Sequence, residues 1–320
     1  MYFCTQNIQS EQIKYNTMQA KKNFSTIISQ LRSNGTRKKV ALVCPNDSHT
    51  EYVINRALEE GIADFILVTG GTRAEFIDVL SEKYPGHIEV TDAPTPDDAA
   101  AKAVKIVRDG GADVLMKGTI NTDNLLRAVL NKEYGLLEKG KVMTHVTLAQ
   151  IPSYDKLLVF SDAAVIPRPT EEQFDAVLGY VVNVCRSLDI ECPHVALIHC
   201  TEKVSEKFPH TLSYEVLKEK ARNGAYGKVE VDGPMDVKTA CDKDSGDIKG
   251  ICSPVVGNAD ALIFPNIESG NVFYKTITLF AKAETAGMLC GTTTPIVVAS
   301  RADSGESKFY SLALACLSHK

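Results

Sequence analysis

Tryptophan is missing from this 320-residue chain, and that gap excludes little. Other gaps exclude more. The nine cysteines form no C-x-x-C pair, so zinc spacing is absent, and their odd number argues against a disulfide framework. A reducing cytoplasm fits, with each cysteine serving as a small buried apolar residue. No apolar run is long enough to cross a bilayer; the stretch 177–184 reads as the buried side of a helix. The first twenty residues are polar, lack the apolar centre of a signal peptide and read as an N-terminal extension. No basic block tracks a nucleic-acid backbone, and the formal charge is −5. Neither a G-x-S-x-G elbow nor a G-x-G-x-x-G fingerprint occurs, and no two histidines stand four apart. Covalent serine chemistry, a dinucleotide site and a helical metal site therefore have little direct support.

What is present is an alternation. Short aliphatic runs at 39–45, 65–70, 88–93, 113–118, 156–162, 194–200, 261–266 and 295–301 are each bounded by turn residues. Runs of that kind suit strands buried on both faces, and the stretches between them are helical in pattern, which predicts parallel sheets covered by helices. Thr95-Pro96-Asp97-Asp98 supplies a cap, a proline at the first helical position and acids in the first turn, for a helix ending at Gly110-Gly111. Thr170 and Gln173 form a capping box for a helix reaching about Leu188. Thr122 is the expected cap of a helix bearing Leu125 and Val129. The segment 224–257, rich in Gly, Asp, Lys and Pro, predicts loops and short elements lining a cleft.

Three segments could carry chemistry. Lys117-Gly118-Thr119-Ile120-Asn121-Thr122 follows an expected strand and opens a helix, where glycine admits the backbone closely and helix N–H groups can meet an anion. By itself it reads equally well as an ordinary strand-to-helix turn. Asn266 to Lys275 repeats the arrangement with Asn271 and Lys275 as polar and cationic candidates; an asparagine-capped helix with a solvated lysine explains it as well. Ser300-Arg301-Ala302-Asp303 follows the last strand. Arg301 there can grip a phosphate in two-pronged fashion, and Asp303 can accept a proton or hold the arginine; a surface ion pair is the plain alternative. His145 and His199, in apolar surroundings, read as satisfied core residues.

Taken together, these segments resemble the phosphate acetyltransferase and phosphate butyryltransferase family from about Lys21 onward. The resemblance is strongest over 265–315 and includes 117–130, 144–173 and the Asp232-Gly233-Pro234-Met235-Asp236 stretch. Ser-Arg-Ala-Asp is similar to the butyryltransferase branch. Acetyltransferases show Ser-Arg-Gly with an acid six residues after the arginine, a position held here by Ser307. A base role cannot be carried over there, and Asp303, then Glu306, are the nearby replacements.

The resemblance implies two α/β domains with mainly parallel sheets and an interdomain cleft, as in isocitrate and isopropylmalate dehydrogenases. The first would comprise 1–135 plus 290–320, and the second 136–289. It implies reversible transfer of a short acyl group, butyryl favoured, between CoA and inorganic phosphate, without a covalent acyl-enzyme. Arg301, Asp303 and Ser300 would carry the reaction; Lys117, Gly118, Thr119, Thr122, Asn266, Asn271 and Lys275 would bind substrate. No metal and no permanently bound cofactor are implied, with CoA or acyl-CoA as substrate. Partners would be small molecules and further copies of the chain in a homodimer or larger assembly, not nucleic acid or membrane. Alternatives are a phosphate acetyltransferase, an acyltransferase using acyl carrier protein, a metal-assisted hydroxyacid dehydrogenase using Asp242, Asp244 and Asp247, and a non-catalytic CoA- or anion-binding module.

Overall fold

The computed structural model describes residues 23–300 and 303–319. The expected extension at 1–20 lies outside them, as does Arg301. All eight aliphatic runs become strands, and three further strands join them in one eleven-stranded sheet. In chain order these are β1 (Lys38–Val43), β2 (Ala63–Gly70), β3 (Ile88–Ala93), β4 (Val114–Lys117), β5 (Thr144–Gln150), β6 (Leu158–Ser161), β7 (His194–Ile198), β8 (Glu230–Met235), β9 (Ala261–Ile263), β10 (Glu284–Cys290) and β11 (Ile296–Val297). The sheet order is β3-β2-β1-β4-β11-β10-β5-β6-β9-β7-β8.

Seven of the ten strand pairings are parallel, and the three antiparallel ones sit together at the centre. Two parallel blocks, β3-β2-β1-β4-β11 and β6-β9-β7-β8, are thus joined through β10 and β5. The expectation of parallel sheets holds for the blocks and not for the seam, and the strands form one sheet rather than two. Strands β5, β8 and β10 escaped the sequence reading because their residues are mixed. Thr-His-Val-Thr-Leu-Ala-Gln mixes polar with apolar, Glu-Val-Asp-Gly-Pro-Met contains strand breakers, and Glu-Thr-Ala-Gly-Met-Leu-Cys is rich in small residues.

Alternate residues along a strand point to opposite faces. On one face, Val40, Leu42, Phe65 and Met116 of the first block share a single core with Val159, Val195, Leu197 and Ile263 of the second. Helices α1 (Phe24–Ser33), α2 (Ser48–Glu59), α3 (Phe76–Lys83), α6 (Glu171–Ser187), α7 (His210–Arg222) and α11 (Gly305–Ser318) contribute to it. The opposite face has two separate cores. One packs Ala41, Val43 and Leu115 beneath α4 (Pro96–Arg108) and α5 (Thr122–Val129). The other packs Phe160, Ala196 and Leu262 with residues of α8 (Val237–Cys241) and α10 (Ile267–Phe280).

Helix starts follow local chemistry. Thr95 caps α4 by accepting a bond from Asp98 N–H, and Pro96 is its first residue. Thr170 and Gln173 make the reciprocal capping box of α6. Thr122, the expected cap of α5, is instead its first helical residue. Asn121, still extended at ψ 140°, holds the cap position without a side-chain cap bond. The 224–257 segment holds β8, α8 and the short α9 (Lys243–Lys249), with much of it lining a groove of about 780 Å³ beside the edge strand β8.

Candidate active site

Strands β1, β4 and β11 are neighbours and parallel, so their carboxyl ends lie together, and each runs into a loop that opens a helix: α2, α5 and α11. In parallel α/β sheets this end is the usual ligand side, because helix N–H groups converge there. Pairing of β11 with β4 stops at Val297–Met116, and the chain from Val298 onward leaves the sheet beside the buried Lys117.

The β4–α5 turn is drawn tight against β1. Gly118 N–H donates to Val43 O at 2.8 Å and Thr119 N–H to Cys44 O at 2.9 Å, while Thr119 Oγ1 also donates to Cys44 O at 3.0 Å. A Cβ on residue 118 would lie 2.3 Å from Cys44 O, so glycine is needed for this approach. Those donors, expected to face substrate, are committed to β1. Donors open to an anion at this turn are those of the α5 N-terminus, where Thr122 is exposed beside a cavity of about 270 Å³ lined by Asn46, Thr72, Thr119 and Asn121. Lys117 Nζ donates to Gly118 O at 3.2 Å.

After β11 the structure joins two of the named residues directly. Asp303 Oδ2 accepts from Ser300 N–H at 2.7 Å, and its Oδ1 lies 3.5 Å from Tyr274 Oη. His49 Nδ1 meets Asp303 O at 2.9 Å. With both carboxylate oxygens engaged, Asp303 shapes the turn, and a base role would compete with that. Glu306, the second base candidate, binds Tyr52 Oη at 2.7 Å and faces Arg56 on α2; the tyrosine hydrogen bond, outweighing partial burial, holds its carboxyl below the usual range. It is thus tied to the helix packing. Lys308, buried one turn into α11, is a cation that the sequence reading passed over. It acts on Asp47, where burial pushes the carboxyl up but hydrogen bonds from Thr50, with Lys308 and His49, bring it below its ordinary value.

The 266–275 segment packs across the seam. Asn266 caps α10 through Ser269 N–H at 2.9 Å, and Asn271 Nδ2 donates to Ala163 O at 3.0 Å. Gly270 is pressed against Asp162, with room for no side chain: a Cβ would sit 2.2 Å from Asp162 O. Lys275 is exposed, its Nζ 4.5 Å from the Tyr274 ring centroid. Its neighbour Tyr274, not a named candidate, is the residue that reaches Asp303. Asn266 and Asn271 are thus spent on structure, as the capped-helix reading allowed.

One of the two histidines differs from the expectation. His199 is the satisfied core residue expected: it is buried, meets the Phe208 ring edge-on, and its Nδ1 lies 3.2 Å from His210 Nε2. His145 stands at the seam in polar company: its Nδ1 lies 3.2 Å from Thr147 Oγ1, and it lines a cavity of about 30 Å³ with Tyr274, Thr285, Asp303, Ser307 and Ser311. No sequence motif marks it, since its neighbours come from four distant segments. Among the described residues no cluster of ligating side chains could hold a metal ion, and no helix is long and apolar enough to span a membrane.

A family model described as "Phosphate acetyl/butaryl transferase" matches residues 74–316. The chain belongs to that family. Within the phosphate acetyl/butyryl transferase family, the chain is 37% identical over 298 residues to a phosphate butyryltransferase of Clostridium acetobutylicum, covering 92% of this chain and 98% of the relative. It is 35% identical over 287 residues to a phosphate acetyltransferase of Thermotoga maritima, covering 89% and 96%. Its fold matches that of a branched-chain phosphotransacylase from Enterococcus faecalis V583 with TM-score 0.78, at 27% identity, over 88% of this chain and 98% of the other. The family resemblance carried by 117–130, 144–173 and 265–315 is thereby borne out.

Proposed function

We propose that the protein transfers a short acyl group, butyryl favoured, between CoA and inorganic phosphate: acyl-CoA + phosphate ⇌ acyl phosphate + CoA. The observation that carries this reading is the match, over nearly all of both chains, to a protein named phosphate butyryltransferase. The attack is direct, and nothing in it calls for a permanently bound cofactor. In the direction that consumes acyl phosphate, the CoA thiol gives up its proton and the sulfur attacks the carbonyl carbon. A free thiol has a pKa near about 8.5, so a modest base suffices. Charge develops on the carbonyl oxygen and the departing phosphate, and fixed donors aimed at that charge lower the barrier.

Arg301 grips the phosphoryl group, with Lys117 and Lys275 adding positive charge and Ser300 placed for the thiol or carbonyl. The α5 N-terminus at Thr122 offers N–H groups to a phosphate, while Gly118, Thr119, Asn266 and Asn271 hold the loops that present these groups. The two cores on one face of the sheet support a reading of two domains, 1–135 with 290–320 and 136–289, with the substrate groove along the β10–β5 seam. Self-association is part of the proposal: α10 exposes Val272, Leu279 and Phe280, and carries only Glu268 and Lys275 as charges, a nearly neutral face suited to meeting its own copy. A cytoplasmic setting fits the thiol content and the CoA substrate.

The test is Arg301→Ala assayed with butyryl-CoA and phosphate. Removing a preorganised charge partner is expected to cost roughly 100-fold or more in turnover. Turnover within about twofold of wild type overturns the assignment. A donor series of acetyl-, butyryl- and isobutyryl-CoA decides chain preference, the branched member being included because of the branched-chain structural neighbour.

A further inference from the structure

Among the described residues, no side chain at the Ser300–Asp303 turn is free to act as a base. Ser307, six residues after Arg301, carries none. Both nearby acids are engaged: Asp303 holds the Ser300 turn, and Glu306 is bound to Tyr52. Yet Ser307 opens onto the small cavity at the seam, and one other wall of that cavity is an imidazole, that of His145.

We propose that His145 is the general base of the site, taking the proton of the CoA thiol. The inference rests on the acyl-transfer reading above and deepens it. Three features of the geometry carry it. First, the ring has a built seat. His145 projects from β5 over β10, and a Cβ on Gly287 would come 2.7 Å from its Nε2 and 2.8 Å from its Cε1, so glycine at 287 makes the room the imidazole fills. Second, Nδ1 is held at 3.2 Å by Thr147 Oγ1; with the hydrogen on Nδ1, Nε2 keeps its lone pair as the accepting nitrogen. Third, the cavity of about 30 Å³ has space for one water, with hydroxyls of Tyr274, Thr285, Ser307 and Ser311 around it, so a proton can travel between Nε2 and the Ser300–Asp303 turn.

The thiol S–H bond breaks, its proton passes through the water to Nε2, the sulfur electron pair bonds the carbonyl carbon, and the C=O π pair moves onto the carbonyl oxygen. That pair then re-forms the carbonyl as the carbon–oxygen bond to phosphate breaks, its electron pair leaving on the phosphate. In reverse, the imidazolium returns the proton to the departing thiolate. Charged or titratable groups around His145 are Asp162 from the end of β6, Asp303 from the β11–α11 connection and Tyr274 from α10. Burial lowers the imidazole pKa, while the two aspartates oppose it, and the balance keeps it below its ordinary value, so the neutral base is the form present at neutral pH.

The experiment compares wild type, His145→Ala and His145→Gln with butyryl phosphate and CoA across pH 5 to 9, with thermal melting to confirm folding. Wild-type turnover should fall at acid pH as the base protonates. Both variants should lose at least about 100-fold in kcat and lose that acid limb. Added imidazole should restore His145→Ala, and the double variant His145→Ala with Ser307→Asp should recover part of the loss by putting a carboxylate at the same cavity. Activity within about fivefold of wild type with the acid limb intact overturns the assignment. So does a large loss that neither imidazole nor Ser307→Asp repairs in a folded variant. If wild type turns over no short acyl phosphate, the functional reading itself falls, and the role of His145 with it; wild-type activity separates the two failures.

Discussion

Two turns in this molecule are built alike and used differently. At the end of β4, Gly118 lets the chain press on the β1 carbonyls, and α5 begins without a side-chain cap. At the end of β6, Gly270 of α10 presses on the Asp162 carbonyl, but the turn carries its own anion. Asp162 is buried, and its carboxylate accepts from Thr144 Oγ1 at 2.7 Å and from the N–H groups of His145, Ala164, Val165 and Ile166. The second turn fills its anion seat from its own sequence, whereas the first, proposed above to hold phosphate, has no side-chain cap. A cluster of backbone N–H groups is the same device in both, and what distinguishes a structural turn from a binding one is whether the sequence supplies the acceptor.

The sharpest way to break this comparison is to remove the internal anion. Asp162→Ala leaves five donors without their acceptor, and a loss of about 3–5 kcal/mol in unfolding free energy is expected by denaturant titration. A loss below about 1 kcal/mol would mean that the second turn does not depend on its carboxylate. Next in size is Gly118→Ala against Gly270→Ala. Each puts a Cβ within 2.3 Å of a backbone oxygen, so both should cost about 2–3 kcal/mol. Gly118→Ala should in addition raise KM for phosphate, because it displaces the turn proposed to hold that substrate.

The smallest effect concerns pH. Asp260, a second internal anion of the same block, is pushed up by burial but held below the ordinary carboxylate range by His194 and Lys156, the lysine at 2.7 Å. Its folded pKa is therefore below its unfolded one. Its contribution is fully present above the unfolded value near about 3.9 and is lost as pH falls through the folded one. Asp260→Asn should flatten the acid limb of the stability curve below about pH 4 and leave the first block's turns untouched.

The same contrast explains what the sequence disclosed. The parallel blocks, β8 apart, were legible, since strands buried on both faces must be aliphatic throughout, as Val-Ala-Leu-Val at 40–43 is. So were the caps at Thr95 and Thr170, where a side chain and the N–H it serves stand three residues apart. The antiparallel seam was not. On one face its strands carry Thr147, Thr285 and Gly287 beside a polar cavity, while Val146, Leu148 and Met288 face the core, and mixed composition hides a strand. Ser300 and Asp303 could be named because they are local to one turn. His145 could not, because its meaning depends on an absent Cβ more than a hundred residues away.

The single core under both blocks has a mechanical consequence. It acts as the spine of an open book, one binding shared by the strands of both blocks. Helices α1 and α11, tied by the stacked rings of Phe24 and Tyr310 at 4.2 Å, are stitched into that spine, and a single unfolding transition is expected for both blocks.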